Sequence, residues 1–381
     1  MKIALVYDRV NKWGGAERVL LALHELFPDA PIYTSVYNPI TASWAKTFDV
    51  RSSFLQKFPL ASIAHELYAV LMPIAFESFS FDQYDLVISV TSEAAKGIIT
   101  KPKTKHICYC LTPTRYLWSA YDDYFRNPLL RFLSKPVVSY LRTWDKIAAQ
   151  RPDAYVAISQ EVKRRIKKYY GRESVVVYPP VDISSMYHVS SIKYKKNANE
   201  IHNTNYILHN TVDYFLIVSR LVPYKRIDIA IRAFNKLRLP LKIIGVGSQE
   251  KYLKSISSPT IEFLGNLTED ELVSYYKGCR ALIFVGVEDF GLTVLEAQSF
   301  GKPVIAFRGG GTLETIKEGK TGEFFSQQNP KSLTDVLKRF DERKYKSTDC
   351  IENAKKFSFE RFKEKLMDVV ARSLATKQSQ I

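Results

Sequence analysis

Two glutamates eight positions apart have the residue types and spacing to bind a sugar nucleotide. Glu288 and Glu296 lie in the segment 285–311, VGVEDFGLTVLEAQSFGKPVIAFRGGG, on either side of a Phe290-Gly291 turn. A carboxylate accepts hydrogen bonds from neighbouring hydroxyl groups. The free amide groups at the start of a helix attract phosphate. Two carboxylates around such a helix start therefore predict a pocket for a nucleotide sugar.

The segments around the glutamates predict the elements that position them. Residues 280–285 are a short apolar run, typical of a buried parallel strand, and 292–300 predict a short helix that ends at Gly301. Residues 304–307 predict the next strand. Glu288 therefore falls in the loop at the carboxyl end of a strand, which is where open α/β sheets bind ligands.

This segment resembles the signature of the retaining GT-B glycosyltransferases of family 4. Glu288, seven residues and then Glu296 match the paired carboxylates of that family, and the later glycines fit the same pattern. The resemblance implies that Glu288 binds sugar hydroxyls and that Glu296 binds the ribose of the nucleoside. It further implies that the donor is contacted by Phe290, Gly291, Leu292 and Thr293.

Two cations follow the first predicted strand of the second half of the chain. Arg220 and Lys225 lie in the run SRLVPYK, just past the strand end, and suit a diphosphate leaving group. The resemblance implies that they act in catalysis together with Glu288, without a metal ion. Gly245 and Gly247 end the next strand, where they serve either a tight turn or the approach of backbone to phosphate.

The amino-terminal segment WGGAERVLLALHELFPDAPIYT resembles bacterial family 4 enzymes that build O-antigen and capsule-like polysaccharides, especially mannosyltransferases. Gly14 and Gly15 are expected to form either the loop by which donor phosphate and acceptor approach the backbone or a simple helix-start turn. Asp8 ends the first predicted strand beside them. It is expected either to orient an acceptor hydroxyl or to cap a helix.

One position departs from the family pattern. In HICYCLTPTRYLW, which spans 106–118, Leu111 occupies the place of a histidine that touches the donor sugar in relatives. Either the enzyme works without that contact, or its donor sugar differs, or the chain is a non-catalytic nucleotide-sugar-binding partner subunit. His106 lies at the opposite end of its predicted strand and is no substitute. Thr112 and Arg115 remain available to bind donor or acceptor.

The resemblance implies a retaining hexosyl transfer in which the leaving phosphate accepts the proton of the acceptor. Mannose from GDP-mannose is the leading donor by resemblance, and a UDP-sugar stays open as the alternative. A Rossmann oxidoreductase would carry a GxGxxG turn after the first strand, and residues 7–15 lack it. We expect no cofactor besides the nucleotide-sugar substrate.

Length and composition predict a two-domain cytoplasmic protein. The 381 residues suit about two domains, and no apolar run reaches the ~18 residues of a membrane span. The first residues, MKIALVYD, predict a strand rather than a signal peptide. The four cysteines and six histidines form no ligand cluster in the sequence, so we expect no structural metal and expect Cys108 and Cys110 to be buried thiols.

The net charge of +16, from 55 basic and 39 acidic residues, favours an anionic partner. The basic residues concentrate at 131–142, 163–168 and 193–196. An anionic membrane surface is expected rather than nucleic acid, because no cluster belongs to a recognised nucleic-acid-binding module. The apolar segment 58–79 is expected either to lie at a membrane interface, near a lipid-linked saccharide acceptor, or to form a core helix. Such a protein would lie on the inner face of the cell membrane.

The chain divides into two similar halves in which strands alternate with helices. Helices are predicted over 63–76 and 129–150 in the first half and, among others, over 227–237 in the second. This alternation predicts an α/β fold of the GT-B type, with two Rossmann-like domains that face a central cleft. Pro179-Pro180 marks the boundary between an acceptor-side domain at 1–180 and a nucleotide-sugar-binding domain at 181–358. The polar stretch 184–210 predicts a linker or surface excursion. The final helix, 359–374, resembles the GT-B tail that returns to the first domain.

Overall fold

The computed structural model describes residues 1–125, 127–181 and 213–375. The predicted linker 184–210, with its basic run 193–196, lies outside these residues. The chain forms two units, the first built from Met1–Pro180 and the helix that begins at Phe359, and the second from the described residues between Val181 and Phe359. The assignment of an acceptor role to one unit and a donor role to the other stays a prediction.

The first unit is built on a seven-stranded parallel sheet with the order β3-β2-β1-β4-β5-β6-β7. Its strands are β1 (Ile3–Tyr7), β2 (Ile32–Thr34), β3 (Val50–Ser52), β4 (Leu86–Thr91), β5 (Lys105–Cys110), β6 (Ala154–Ala157) and β7 (Val175–Val176). β1 pairs in register with both neighbours, so that Leu5 lies opposite Ile32 on one side and Ile88 on the other. All six residues of β4 are buried, as expected of a central strand covered on both faces.

Five helices of the first unit precede its boundary. They are α1 (Gly15–Leu26), α2 (Met72–Glu77), α3 (Tyr121–Tyr124), α4 (Pro128–Ala148) and α5 (Gln160–Tyr170). α4 begins where the Asn127 side chain accepts hydrogen bonds from the amides of Leu129 and Leu130, and Pro128 occupies its first turn. α5 begins at Ser159, which accepts a hydrogen bond from the amide of Val162.

The second unit is built on a six-stranded parallel sheet with the order β10-β9-β8-β11-β12-β13. Its strands are β8 (Phe215–Val218), β9 (Leu241–Ile244), β10 (Ile261–Gly265), β11 (Leu282–Phe284), β12 (Val304–Phe307) and β13 (Gly322–Phe325). Its helices are α6 (Ile227–Leu237), α7 (Glu250–Ser255), α8 (Glu269–Gly278), α9 (Leu292–Ser299), α10 (Thr312–Thr315), α11 (Pro330–Arg339) and α12 (Ser347–Lys355). The last helix, α13 (Phe359–Ala375), completes the first unit.

Strand residues of the second unit alternate between two buried clusters. Phe215 and Ile217 of β8 belong to one cluster, whereas Leu216, between them, belongs to the other. Phe234 of α6 packs in the first cluster and Tyr276 of α8 in the second. The sheet is therefore covered by helices on both faces, so its ligand-binding surfaces are the edges where the strands end.

The prediction of one helix over 63–76 is wrong. A 3₁₀ helix spans His65–Leu71, with a non-helical Tyr68, and α2 begins only at Met72. Pro73 lies in the first turn of α2, where the missing amide hydrogen costs no hydrogen bond. The segment also mixes environments, because Phe76 is fully buried whereas Ile63 is 71% exposed.

Further short 3₁₀ helices connect these elements: Ser43–Thr47, Phe54–Lys57, Ala95–Gly97, Pro223–Lys225 and Glu342–Lys344. Within the described residues, no helix combines the length and the apolar character that crossing a bilayer requires. All four cysteines are buried free thiols, which confirms the prediction for Cys108 and Cys110.

Candidate active site

The sheet of the second unit has a topological switch point between β8 and β11. From β8 the chain continues to β9 and β10 on one side, and it then returns to β11 on the other side of β8. The loops that follow β8 and β11 leave the same edge of the sheet in opposite directions, which opens a ligand-binding crevice in this class of fold. Arg220 and Lys225 lie in the loop after β8, and Glu288 lies in the loop after β11.

Lys225 and Glu288 form an ion pair across this switch point, between the Lys225 Nζ and the Glu288 Oε1. The two side chains are 16% and 17% exposed, so both charges are held near the surface yet largely shielded from solvent. The structure therefore brings together two of the three residues that were predicted to act in catalysis.

Tyr224 lies between the two predicted cations. Arg220 is exposed, and its Nη2 donates a hydrogen bond of 2.6 Å to the Tyr224 hydroxyl. The Lys225 Nζ lies 5.4 Å from the centre of the Tyr224 ring. Sequence reasoning missed Tyr224, although its position between the two cations in VPYK was the available signal. Tyr224 therefore contacts both cations: Lys225 lies in the 3₁₀ turn Pro223–Lys225, and Arg220 lies in the loop before that turn.

The loop that carries Arg220 is held by the backbone of the loop after β9. The amide of Leu221 donates to the carbonyl of Val246 over 2.9 Å. A Cβ atom on Gly245 would lie 2.0 Å from the carbonyl oxygen of Ser219, and the φ of Gly245 is +128°. Gly245 is therefore required for the close packing of these two loops. Its approach to a phosphate stays a prediction.

The glycine run 309–311 packs in the same way against the loop that carries Glu288. The amide of Gly311 donates to the carbonyl of Glu288 over 2.8 Å. A Cβ atom on Gly310, whose φ is +64°, would lie 2.3 Å from that carbonyl oxygen. The glycines thus fix the backbone that presents the Glu288 side chain.

The start of α9 has the features of an anion site. Its N-cap residue, Gly291, has a φ of +93° and makes no side-chain capping hydrogen bond. The first-turn amides, those of Leu292 and Thr293, have no partner further back in the helix. Phe290 is buried against the ring of Phe357, with centroids 5.6 Å apart. These four residues therefore form the end of the Glu288 loop and the first turn of α9. Their contact with a donor stays a prediction.

Glu296 lies in the second turn of α9 and is only 3% exposed. Its Oε2 accepts a hydrogen bond of 2.7 Å from the hydroxyl of Tyr276, a fully buried residue of α8. The carboxylate is therefore oriented by a neighbouring helix. Tyr276 was not identified from the sequence, because it lies on a different element and no spacing rule links the two residues. The predicted contact of Glu296 with ribose stays a prediction.

Asp8 has a structural role in the first unit. Its carboxylate accepts hydrogen bonds from the Thr91 hydroxyl at 2.9 Å and from the amides of Ser92 at 2.7 Å and Glu93 at 3.0 Å. It is 3% exposed, and burial, followed by repulsion from Glu93, raises the pKa of Asp8. Asp8 therefore holds the loop after β4, the strand beside its own. An acceptor-orienting role stays a prediction.

The other predicted residues of the first unit lie at the same edge of its sheet. Gly14 has an extended backbone and precedes α1, which Gly15 begins. Thr112 follows β5 and is 5% exposed. Its hydroxyl accepts a long hydrogen bond of 3.5 Å from Arg165. Arg115 is partly buried in the same loop as Thr112. These residues share their unit with Asp8 and belong to a different unit from the Lys225–Glu288 pair.

His106 and Leu111 lie at opposite ends of β5. Leu111, the residue after the strand, is partly buried. His106 is fully buried near the start of the strand, and its Nε2 is 2.8 Å from the Ser89 hydroxyl. Burial lowers the pKa of His106 to about 3. The neutral His106 is therefore a buried core residue that contacts Ser89. This agrees with the expectation that it does not replace the histidine of relatives.

A buried ion pair in the first unit was not predicted. Lys96 and Asp145 form an ion pair with both side chains 1% exposed, and the Trp118 indole nitrogen donates to Asp145 over 2.7 Å. Burial alone would lower the pKa of Lys96, but the attraction of Asp145 raises it above its usual value. The pair joins α4 to the 3₁₀ turn after β4. No sequence motif links these two elements. Among the described residues, no cluster of three His, Cys, Asp or Glu side chains could hold a metal ion.

Two family models match consecutive parts of the chain. The model described as Glycosyltransferase Family 4 matches residues 13–185, and the model described as Glycosyl transferases group 1 matches residues 200–357. Together they cover the second sheet and strands β2 to β7 of the first, whereas β1 precedes the matched residues. The chain therefore belongs to the glycosyltransferases of family 4.

Known proteins agree with this assignment. The chain is 22% identical to the alpha-1,3/1,6-mannosyltransferase of Dictyostelium discoideum, over 84% of this chain and 82% of that protein. It is 25% identical to the O-antigen chain mannosyltransferase C of Escherichia coli, over 52% of each chain. It spans 60% and 42% of the length of two other glycosyltransferase relatives.

The solved structure of Anabaena HepE in complex with UDP-glucose is similar in fold. The TM-score is 0.69 at 18% identity, and the similarity covers 98% of this chain and 100% of HepE. The prediction of an α/β fold of the GT-B type with two Rossmann-like domains is confirmed.

Proposed function

We propose that this protein is a retaining glycosyltransferase that moves a hexose from a nucleotide sugar to a growing, lipid-linked saccharide in the synthesis of a cell-surface polysaccharide. The observation that carries the proposal is the ion pair of Lys225 and Glu288 at the switch point of the second sheet, next to the uncapped start of α9. A cation, a carboxylate and free helix amides are the groups that a sugar diphosphate requires.

In the proposed mechanism the protein positions the donor and stabilises the charge that develops on its diphosphate. Lys225 and Arg220 would bind the departing diphosphate, together with the amides of Leu292 and Thr293. Glu288 would accept hydrogen bonds from sugar hydroxyls, since a carboxylate has lone pairs for both a hydroxyl and Lys225. The leaving phosphate would accept the proton of the acceptor. No step requires a metal ion, because protein cations supply the positive charge.

Glu296, oriented by Tyr276, would bind the ribose of the nucleoside. The Tyr276 hydroxyl orients the Glu296 carboxylate from behind. A ribose has two adjacent hydroxyl groups, and a carboxylate oriented in this way can accept a hydrogen bond from each of them. Tyr276 is thus a positioning residue for donor binding.

Mannose is the sugar that we propose, with GDP-mannose as donor. The support is that two of the relatives described above are mannosyltransferases. The complex of HepE with UDP-glucose supports a nucleotide sugar in general and keeps a UDP-sugar as the alternative donor. A lipid-linked acceptor at the inner face of the membrane is supported by the resemblance to enzymes that build O-antigen.

The test is a titration of the purified protein with GDP-mannose, UDP-glucose and UDP-N-acetylglucosamine, followed by thermal unfolding. A ligand that binds the folded state raises the melting temperature by mass action. We expect one donor to raise it in the wild type and not in Glu288→Ala. A shift that persists in Glu288→Ala would contradict the proposed site. Donor binding without turnover on any saccharide acceptor would favour a non-catalytic subunit, the alternative that Leu111 raises.

A further inference from the structure

Helix α4 exposes an unusual amount of apolar surface. Leu129, Phe132 and Leu133 are 61–66% exposed, and Tyr140 and Ile147 are 47% and 57% exposed. Single exposed apolar side chains are common on soluble proteins, but a contiguous set indicates a surface that is covered in use.

The exposed side chains lie on one face of the helix. Successive members are three, one, seven and seven residues apart, which places all five within about 100° around a helix with 3.6 residues per turn. Leu130 and Val137, 59% and 41% exposed, extend the apolar surface on one side of this face. The opposite face is buried in the first unit, through Val138, Leu141, Asp145 and Ala148. The apolar face therefore points away from the core of its own unit.

A stripe of cations borders the apolar face. Arg131, Lys135, Arg142 and Lys146 follow one another at spacings of four, seven and four residues, so they too share one side of the helix. All four are held against aromatic rings by cation–π contacts within α4 or with the segment before it. Arg131 also forms an ion pair with Asp122, and on α5 Arg164 and Arg165 both pair with Glu161.

A cavity of about 460 Å³ opens along the cationic stripe. Its walls include the rings of Trp118 and Tyr121 and the side chains of Lys135, Arg142 and Lys146. The Arg142 guanidinium lies 4.6 Å from the Tyr121 ring centre and 5.6 Å from that of Trp118, and the Lys146 Nζ lies 5.5 Å from the Trp118 centre. Fixed cations around a small polar cavity suit a phosphate group.

We infer that α4 is a membrane-docking helix that lies in the surface of a bilayer rich in anionic phospholipid. The side chains of Leu129, Phe132, Leu133 and Tyr140 enter the acyl boundary, and the cationic stripe contacts lipid phosphates. An amphipathic helix with apolar and basic faces of this kind binds in the plane of the interface. Charge complementarity selects the occupant, because a second copy of the same basic helix would bring like charges together.

This inference extends the proposed function by naming a lipid surface as the partner of the first unit. It rests on that function only in so far as a lipid-linked acceptor requires a membrane. The basic run 131–142, one of those expected at an anionic surface, lies on α4, whereas the apolar segment expected at the membrane was 58–79. Vesicle binding requires neither donor nor turnover. A failure of membrane docking is therefore distinguishable from a failure of the proposed transferase activity.

The test is flotation of the full-length protein with phosphatidylcholine vesicles that either contain or lack phosphatidylglycerol. We expect the wild type to float with the anionic vesicles and to remain behind with the zwitterionic ones. The double variants Phe132→Ser/Leu133→Ser and Lys135→Gln/Lys146→Gln should each lower the partition coefficient at least about tenfold, since each basic residue near such a surface contributes measurably. The control Lys331→Gln/Lys338→Gln removes the same charge from exposed positions of α11 and should float like the wild type.

Three results would overturn the inference. The first is equal flotation with both kinds of vesicle, and the second is unchanged flotation of both α4 variants. The third is self-association of the wild type without lipid that Phe132→Ser/Leu133→Ser abolishes, because the apolar face would then be an interface between copies. Circular dichroism on every variant shows that a loss of flotation does not come from unfolding.

Discussion

Lys225 and Glu288 form an ion pair between loops that follow two neighbouring strands of one parallel sheet, β8 and β11. The two strands position the loops that carry Lys225 and Glu288. Gly245 and Gly310 let the surrounding loops pack closely enough to fix both residues. A charged pair that is mostly shielded from solvent is screened less than one on the open surface. The fold therefore presents a cation and a carboxylate whose positions are set before a substrate arrives.

Lys225→Ala should lower kcat by at least about a hundredfold, because a positioned charge beside the leaving diphosphate supplies stabilisation of this size. Steady-state kinetics with the donor identified by thermal shift measures the change. Lys236→Ala is the control, since it removes the same charge from an exposed position of α6 in the same unit. Turnover of Lys225→Ala within a few-fold of the control would remove Lys225 from the site.

Turnover should be unchanged when the protein is assayed in EDTA. In the proposed mechanism Arg220 and Lys225 provide the positive charge at the diphosphate, so chelation of divalent cations removes nothing that the transfer needs. Assays in EDTA, with and without added magnesium or manganese, measure this directly. A strict requirement for either metal would contradict the mechanism in which protein cations alone stabilise the leaving group.

Gly310→Ala should weaken donor binding at least about tenfold, because its Cβ would lie 2.3 Å from the carbonyl oxygen of Glu288 and would displace that loop. Gly319→Ala is the matched control. Gly319 also has a positive φ, +73°, but nothing lies within 4 Å of the position of its Cβ. The control thus costs only the backbone strain of about 1–2 kcal/mol. Equal donor affinities in the two variants would show that the Glu288 loop tolerates the displacement.

The sequence predicted the fold well where periodicity is strong. α6 and β12 were predicted at their observed bounds, because an amphipathic helix stripe and a buried apolar run leave few alternatives. β13 and α12 were not predicted. β13 contains Gly322 and Glu323 and is therefore no continuous apolar run, and only three of the nine residues of α12 are apolar. The helix predicted over 63–76 was wrong because apolar content was taken as evidence of helix in spite of Pro73.

The sequence predicted the charged residues of the candidate site but not the tyrosines that contact them. Glu288, Lys225 and Arg220 belong to loops with a recognisable pattern. Tyr224 contacts Arg220 through its hydroxyl and Lys225 through its ring face, and the Tyr276 hydroxyl orients Glu296. The contact of Tyr276 with Glu296 depends on how two helices pack in the second unit, which no local spacing encodes, whereas Tyr224 lies in the same short run as both cations. Asp8 was predicted as a site residue because it follows a strand. The structure instead shows a buried carboxylate that accepts hydrogen bonds from the loop after β4.

Tyr276→Phe should raise the dissociation constant of the donor about tenfold with little change in kcat. The variant leaves Glu296 buried without its 2.7 Å hydrogen bond, and a hydrogen bond to a charged group contributes about 1.5–3 kcal/mol. Tyr345→Phe makes the same chemical change in the same unit, where the hydroxyl donates to Glu323 over 2.6 Å. Isothermal titration on both variants separates orientation of Glu296 from a general loss of stability. Equal donor affinities in the two variants would count against a role for Tyr276.

The first unit should lose stability as the pH falls below about 6.5, in part through His106. Burial lowers the pKa of His106 to about 3 in the folded protein, whereas an unfolded histidine has a pKa of about 6.5. Between these values the unfolded chain binds a proton that the folded chain does not, so the stabilisation is complete above pH 6.5 and declines towards pH 3. By pH 5 the loss from this residue is about 2 kcal/mol. Burial also lowers the pKa of His65, to about 4, so His65 acts in the same direction.

His106→Asn should reduce the difference in unfolding free energy between pH 7 and pH 5 by about 2 kcal/mol. Urea unfolding followed by tryptophan fluorescence measures this difference, because all four tryptophans lie in the first unit, at Trp13, Trp44, Trp118 and Trp144. His65, Asp8 and Glu17 titrate in both proteins, so their contributions cancel when the two pH dependences are subtracted. The variant is expected to be less stable at pH 7, since Ser89 loses its partner, but that cost does not vary with pH. Parallel pH dependences in the two proteins would show that His106 takes up its proton in the folded state as readily as in the unfolded chain.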